Sequence, residues 1–226
     1  MKIVVSQEIE NVCSSFVGAC IEATVANSSY SETLWNEIKH RCDEFRAMYT
    51  TETLKDISSI NATRNVYKAC GKDPSRYRPS AEALLRRVLQ GKELYQIDTL
   101  VDLTNLASMV SGYSIGAFDA DKISGDMLIL GIGREGEPYV GIGRGVLNIK
   151  GLPVYRDDKG GVGTPTSDNE RTKIDISTRR LLVLINGYDG KEESVRTTAE
   201  MIIRLLTDYC ASSDAEFFIY RCDKRQ

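Results

Sequence analysis

The sequence predicts an α+β protein with a mixed, largely antiparallel sheet and flanking helices. Short β-branched runs bounded by turn residues indicate strands, as at 2–5 and 181–185. Apolar residues at helical spacing indicate amphipathic helices, and a long run of this kind covers 193–210. The helical runs come early and late in the chain, and the strand-like runs between them indicate an antiparallel meander.

The N-terminal third begins with strands and continues with helices. Residues 2–5 and 16–25 are apolar and β-branched enough to form strands. Ser31 is suited to cap the helix that follows, because its hydroxyl can accept a bond from an unpaired backbone N–H. A second helical run covers about 59–70 and is predicted to end at Gly71, since glycine favours the left-handed conformation of a helix end.

The composition is that of an ordinary soluble globular protein. The 226 residues are 42% hydrophobic and 27% charged, which fits one large domain or two small ones. No apolar run approaches the roughly 20 residues that a membrane helix needs. The first residues lack the apolar core and the cleavage site of a signal peptide. We therefore expect a cytoplasmic protein with no membrane partner.

Cysteine and histidine usage argues against a metal centre and against several catalytic classes. The six cysteines are scattered without a C-x-x-C pair, so neither a zinc site nor a disulfide framework is expected. These residues are Cys13, Cys20, Cys42, Cys70, Cys210 and Cys222. The single histidine, His40, lies between Lys39 and Arg41, as on a solvated helix face. A Ser-His-Asp mechanism would have to use it, and a three-histidine metal site is impossible. No metal and no cofactor is predicted.

A basic stretch precedes the middle of the chain. Pro79 and Gly91 are predicted to start and stop a helix of about ten residues. From 64 to 87 there are seven basic residues against two acidic ones, with Tyr67 and Tyr77 among them. The basic residues are Arg64, Lys68, Lys72, Arg76, Arg78, Arg86 and Arg87. This stretch is a candidate phosphate-contacting face, and a solvated helix pair is the alternative. The net charge of −3 does not indicate a dedicated nucleic-acid binder, although a local patch can suffice.

Residues 99–126 carry the pattern around which the chain is organised. An acidic, hydroxyl and amide cluster opens it, formed by Asp102, Thr104 and Asn105. A helix-like run then ends at Gly112, and a short apolar segment closes on Phe118 and Asp119. Polar groups thus flank an apolar wall, an arrangement that suits a ligand pocket.

The segment after the centre is predicted to be a meander. Strands at 127–133 and 138–142 are expected to form a hairpin through 134–137, with a further strand at 146–149. The letters G-I-G-R-E-G at 131–136 match a dinucleotide-binding fingerprint in form. That fingerprint needs a helix after its glycines, and here a strand follows, so NAD binding is rejected.

Residues 157–172 form a second stretch with functional character. Its glycines let the backbone approach a ligand, and its short polar side chains can bond one; an ordinary surface loop is the alternative. The glycines are Gly160, Gly161 and Gly163, and the polar residues are Thr164, Thr166, Ser167 and Asp168. The chain then continues as a strand at 181–185, a helix at 193–210 and a strand at 215–220.

These motifs resemble the B3/4 domain of the phenylalanyl-tRNA synthetase beta subunit. That family shows V-D-x-T-N, about ten residues, H-A-F-D and a Gly-Asp or Gly-Gly turn. Here V-D-L-T-N stands at 101–105, G-A-F-D at 116–119 and Gly-Asp at 125–126. The match extends to RPSAEALLRRV at 78–88 and GTPTSDNERT at 163–172. The resemblance implies a single B3/4-like domain over 1–226, with its best-matching core at about 76–185, an N-terminal strand-helix extension and a C-terminal helix-strand.

The resemblance also implies a function. In the synthetase this domain removes wrongly attached tyrosine from tRNA, and no synthetase core or synthetase activity is expected here. The chain is therefore expected to be a free-standing editing hydrolase that acts on the ester of a non-cognate aminoacyl-tRNA. The alternatives are a non-catalytic module that binds tRNA or an amino acid, and a small-molecule enzyme of another kind. The amino acid, the tRNA and the oligomeric state stay open.

The resemblance assigns three groups of residues. Thr104 and Asn105 are the expected catalytic residues, placing ester and water. The expected substrate-binding residues are Asp102, Gly116, Phe118, Thr166, Ser167 and Glu170. The expected tRNA-binding residues are Arg76, Arg78, Arg86 and Arg87. Glu170 falls at the position of a family glutamate that reads the tyrosine phenol, so it is predicted to face the same cavity as Asn105.

Gly116 is where the sequence departs from the family. The family's histidine at this position belongs to the pocket that holds tyrosine. Its loss predicts a larger, less polar recess or a closer backbone approach, so tyrosine specificity does not carry over. Ester hydrolysis can survive the change, because in the family a positioned water and the terminal ribose hydroxyl of the tRNA are thought to do much of the chemistry.

Overall fold

The strands and helices alternate irregularly along the chain. The computed structural model describes residues 1–222. Its helices are α1 (Gln7–Val12), α2 (Glu32–Met48), α3 (Ser58–Ala69), α4 (Ser80–Leu89), α5 (Thr99–Ser111) and α6 (Glu192–Cys210). Its strands are β1 (Lys2–Val5), β2 (Val17–Thr24), β3 (Ile115–Asp119), β4 (Met127–Ile132), β5 (Val140–Gly141), β6 (Gly145–Val146), β7 (Pro153–Asp157), β8 (Gly160–Gly163), β9 (Arg180–Gly187) and β10 (Glu216–Arg221).

The long strands form two four-stranded sheets. One sheet has the order β10-β2-β9-β3 and is antiparallel throughout, with β3 at its edge. The other has the order β1-β4-β7-β8, in which β1 runs parallel to β4 and the other pairs are antiparallel. The predicted α+β class with largely antiparallel pairing is therefore confirmed, and its strands are divided between two sheets.

The first sheet is covered on both faces, which explains the continuous apolar sequence of β9. Val183 and Ile185 pack in a core shared with helices α2, α5 and α6. Leu182 and Leu184 point to the opposite face and pack with Leu130 and other residues of the second sheet. The result is three layers, helices on sheet on sheet, with β3 as an edge strand of the first sheet.

The helix ends confirm several local predictions. Ser31 Oγ accepts a bond from the Leu34 N–H at 3.3 Å and caps α2. Asp98 caps α5 in the same way, accepting from the Val101 N–H at 2.9 Å. Gly112 ends α5 with a φ of +71°, a conformation that glycine adopts without a steric penalty.

The predicted hairpin of 127–133 with 138–142 is wrong. Strand β4 pairs with β1 and β7, whereas β5 pairs with β6. Just after β4 the chain still bonds to the segment before β7, because the Gly133 N–H donates to the Leu152 carbonyl at 2.8 Å. A Cβ at this position would lie 2.0 Å from the Ile149 carbonyl oxygen. Of the strand predicted at 146–149, only Val146 lies in a strand, as the second residue of β6.

Three further features bear on the predicted class. In residues 1–222, no helix is both long and apolar enough to cross a bilayer. Over the same residues, no cluster of three or more His, Cys, Asp or Glu side chains is placed to hold a metal ion. His40 lies on α2 with 73% of its side chain exposed, 3.3 Å from Glu44, as a solvated helix-face histidine would.

Candidate ligand-binding cavity

A cavity of about 700 Å³ opens beside the edge strand β3. One wall is α5 with its N-terminal lead-in, and the other is the segment 168–176 with the β5–β6 hairpin. Most of the lining is apolar and includes Ile97, Val101, Ile115, Ile142, Ile174 and Ile176. Among its polar side chains are Thr104, Asn105 and Asp168. The volume and the few polar groups suit a small-molecule or single-residue ligand.

Helix α5 supplies both predicted catalytic residues. Val101, Thr104 and Asn105 line the cavity together, because positions three and four apart share one helix face. The Thr104 hydroxyl donates to the Leu100 carbonyl at 2.8 Å, so its oxygen is left as an acceptor. Asn105 is half-buried, and no residue in 1–222 bonds its side-chain amide. That amide can therefore both donate to and accept from a ligand.

Asp102 lies behind this wall. Its carboxylate accepts from Trp35 Nε1 at 2.7 Å and from the Ile97 N–H at 3.1 Å, and the residue is 1% exposed. Burial raises the pKa of this carboxyl group, and the two donated bonds lower it. Asp102 therefore fastens α2 and the lead-in segment to α5.

Asp168 is the carboxylate in the opposite wall. Its Oδ2 accepts from the Ala117 N–H of the edge strand at 3.2 Å, and its backbone carbonyl accepts from the Ile142 N–H at 3.0 Å. Burial raises the pKa of Asp168 to about 7, against the lowering effect of the Ala117 bond. No donor in residues 1–222 reaches its Oδ1. Sequence reasoning named Asp168 among polar loop residues and gave it no role.

Gly116 and Phe118 lie on the face of β3 that is turned away from the cavity. Phe118 is 1% exposed and packs between the sheets. A Cβ at Gly116 would lie 2.6 Å from Phe118 Cζ and 3.2 Å from Asp168 Oδ1. The recess expected at Gly116 is thus filled by an aromatic ring and a carboxylate. The lack of a side chain at Gly116 leaves room for the Phe118 ring and the Asp168 carboxylate.

The predicted residues of the 164–172 loop hold the loop together. Thr166 is buried, with its hydroxyl 2.8 Å from Tyr67 Oη and 3.3 Å from the Tyr77 carbonyl. Ser167 donates to the Asp168 carbonyl at 3.3 Å. Glu170 is not among the residues that line the cavity, and its carboxylate pairs with Lys173, which does line it. The acidic side chain that shares the cavity lining with Asn105 and has no cationic partner in residues 1–222 is therefore Asp168.

The predicted basic face is organised around one buried acid. Glu82 is fully buried and binds Arg64 at 2.8 and 3.1 Å and Arg86 at 2.8 Å, with Arg78 at 3.7 Å. Three positive charges thus surround one negative charge. The other two predicted arginines lie elsewhere: Arg87 stacks 3.9 Å over the Tyr95 ring, and exposed Arg76 lies 5.6 Å from the Tyr77 ring.

A second cavity of about 430 Å³ lies between α2 and the segment 92–96. Its charged lining residues include the Arg46–Asp43 pair at 2.7 Å, and none of the predicted site residues lines it. The cavity beside β3 is the better candidate site because it joins an apolar wall to unengaged polar groups.

Fold and cavity together define a three-layer α+β domain with a cavity of apolar and polar side chains beside a sheet edge. Comparison with known proteins names the family. The sequence pattern of the B3/4 domain matches residues 62–211, more than half of the chain, and the protein belongs to this family.

Individual relatives agree with this assignment. The phenylalanine--tRNA ligase beta subunit of Bartonella henselae is 38% identical over 93 residues, covering 40% of this chain and 11% of that subunit. The corresponding subunit of Bartonella quintana is 34% identical over 100 residues, covering 43% and 12%. The chain therefore matches only a small part of these relatives. An N-terminal fragment of the phenylalanyl-tRNA synthetase beta subunit from Pyrococcus horikoshii shares the fold, with a TM-score of 0.51 at 12% identity, over 96% of this chain and 50% of the fragment.

Proposed function

We propose that the protein hydrolyses the ester of a non-cognate aminoacyl-tRNA, acting on tRNA released by a synthetase. The observation that carries this proposal is the convergence of Thr104, Asn105 and Asp168 on one cavity with an apolar wall. An aminoacyl group needs this combination, since its side chain seeks apolar surface and its ester seeks hydrogen bonds. The similarity to tRNA ligase beta subunits supports tRNA as the carrier of the ester.

The reaction needs positioning more than a strong nucleophile. Water attacks the ester carbonyl carbon, the bond to the ribose oxygen breaks, and that oxygen leaves with a proton as the free hydroxyl. In this proposal the Asn105 amide donates to the carbonyl oxygen, where negative charge develops. The Thr104 oxygen accepts a bond from the attacking water, because its own proton is engaged with Leu100. Holding ester and water together supplies much of the rate.

The arginines near α4 are the proposed contacts for tRNA phosphates. The Arg64, Arg78 and Arg86 cluster keeps an excess of positive charge after binding Glu82. The backbone N–H of Ser80, at the start of α4, donates to the Pro165 carbonyl at 2.8 Å, so this helix adjoins the loop that carries Asp168. If the phosphate backbone of a tRNA lies on these arginines, the tRNA continues from them toward the cavity.

A deacylation screen tests the proposal. Purified protein is incubated with tRNAs carrying correct and incorrect amino acids, and loss of the aminoacyl group is followed over time. We expect accelerated hydrolysis for a subset of pairs, abolished when Asn105 is changed to alanine. Uniform background rates across the panel would contradict the proposal.

A non-catalytic binding module is the second candidate. It is favoured by the internal bond of the Thr104 hydroxyl, which leaves no side-chain nucleophile at that position. This candidate predicts tight binding of one aminoacyl-tRNA without turnover. Binding and hydrolysis measured on the same panel separate the two.

A further inference from the structure

Asp168 lies where the two sheets meet beside the cavity. Its backbone bridges Gly163 at the end of β8, and its Oδ2 accepts from the Ala117 N–H on the edge strand β3. The residue is therefore held from two strands, its backbone by β8 and its carboxylate by β3. Such pre-organisation lowers the cost of ordering the side chain when a ligand binds.

Two glycines leave the space that the Asp168 carboxylate occupies. Cβ atoms built at Gly116 and Gly163 would lie 3.2 Å and 2.8 Å from Asp168 Oδ1. Both would also press on the Phe118 ring, at 2.6 Å and 2.5 Å. Side chains at these positions would displace the carboxylate. The absence of side chains at Gly116 and Gly163, on edge strands of the two sheets, thus leaves room for one acidic group.

The nearby cations are committed to other acids. Lys173 lines the cavity and pairs with Glu170, and Arg171 binds Asp157 at 2.8 and 2.9 Å. The other acids of the lining have partners as well: Asp98 caps α5, and Asp175 binds Lys122 at 2.6 Å. Within residues 1–222, Asp168 has one backbone donor and no cation. A partly buried carboxylate without a positive partner is unfavourable, so it is stabilised either by taking up a proton or by binding a ligand that brings a positive charge.

We propose that Asp168 binds the free α-ammonium group of the aminoacyl ester. The apolar wall then receives the amino-acid side chain, and the Asn105 amide receives the ester carbonyl. This inference rests on the proposed function and sharpens it. The substrates are esters of apolar amino acids with an unmodified amino group, and N-acylated aminoacyl-tRNA is excluded.

Non-hydrolysable analogues test this claim without requiring catalysis. The probes are 3′-deoxy-3′-aminoacylamino-adenosines carrying glycine, leucine or phenylalanine, each with a free and with an acetylated amine. Calorimetric titration should show at least one pair in which the free amine binds about tenfold or more tighter, since a charge-assisted bond is lost on acetylation. Asp168→Asn should remove this preference by weakening the free-amine form alone.

Asp208→Asn is the matched control. It makes the same change at an exposed carboxylate on α6 that does not line the cavity, so the amine preference should persist. The inference is overturned if wild-type protein binds both forms equally, if it binds none of the six probes, or if Asp168→Asn weakens both forms alike. Thermal melting of each variant confirms that the fold is intact.

Different results would contradict the proposed hydrolase activity and the proposed amine site at Asp168. Ester hydrolysis of aminoacyl-tRNA and of its N-acetyl form at equal rates would overturn the amine reading and leave the proposed hydrolase standing. Amine-selective binding of the analogues without any ester turnover would overturn the hydrolase and leave the amine site standing.

Discussion

Asp102 and Asp168 stand in or behind opposite walls of one cavity and differ in how completely they are bonded. Asp102 receives donors from Trp35 and Ile97 and is 1% exposed. Asp168 receives one donor, from Ala117, and borders open space. A carboxylate whose bonds are satisfied within the protein stabilises the fold, whereas one with an open oxygen can bind a ligand. The V-D-L-T-N motif points to Asp102, the carboxylate whose hydrogen bonds are already made within the protein.

The largest effect is expected at Asp102. Changing it to alanine leaves the buried Trp35 indole N–H without an acceptor and removes the bond to the N–H of Ile97, an exposed residue. We expect a loss of about 4 kcal/mol in the free energy of unfolding, because the stranded indole costs up to about 3 kcal/mol and the lost Ile97 bond adds about 1 kcal/mol. Urea unfolding measures it. A loss below about 1 kcal/mol would show that Asp102 is not the structural member of the pair.

Gly116→His comes next. The sequence allowed two outcomes, a shift of preference toward tyrosine or poor folding, and the structure favours the second. Even a Cβ would meet the Phe118 ring at 2.6 Å, so an imidazole must displace the ring and the Asp168 carboxylate. Overpacking of this kind costs about 3 kcal/mol. A well-folded variant with a raised preference for tyrosyl-tRNA over phenylalanyl-tRNA would contradict this prediction.

Asp168→Asn should stabilise the protein in a pH-dependent way. Folding raises the pKa of Asp168 from its ordinary value of 3.8 to about 7, so the folded chain holds a proton that the unfolded chain releases. The stability due to that proton is present below the ordinary pKa and is lost as pH rises through about 7. The neutral amide avoids this loss.

We therefore expect the variant to be about 2 kcal/mol more stable than wild type at pH 8, a value reduced for the partial exposure of the group, and nearly equal at pH 4. Urea unfolding at both pH values checks this. An equal effect at both would mean that the carboxylate charge is not responsible. A gain in stability at pH 8 would show that the Asp168 carboxylate destabilises the fold, whereas the Asp102 carboxylate stabilises it.

Local features of the fold were predictable, and pairings distant in sequence were not. Ser31, Gly112 and the apolar run of β9 each act through near neighbours or through burial, so sequence patterns reveal them. The partner of β4 is more than twenty residues away, and nearer turn residues suggested a false hairpin. Asn105 was found from its motif. The empty recess predicted at Gly116 was wrong, because the Phe118 ring and the Asp168 carboxylate fill that space only once the chain is folded.

The smallest effect on stability is expected for Arg76→Glu. Its side chain is exposed and makes only a distant contact with the Tyr77 ring, so unfolding should change by less than about 0.5 kcal/mol. If Arg76 contacts a phosphate, tRNA binding should weaken for all tRNAs alike, and the salt dependence should flatten by about one unit of slope. Lys2→Glu, a reversal at another exposed cation, is the control. Equal effects of both changes would indicate only a general response to charge.

The most direct measurement compares two asparagines. The best tRNA substrate from the panel is deacylated by wild type, by Asn105→Ala and by Asn61→Ala, which removes an exposed amide on α3. A donor to the developing oxyanion contributes about 100-fold or more to such a rate. We expect that loss for Asn105→Ala with unchanged melting, and a wild-type rate for Asn61→Ala. Wild-type hydrolysis by the Asn105 variant would show that this cavity is not where the ester is cleaved.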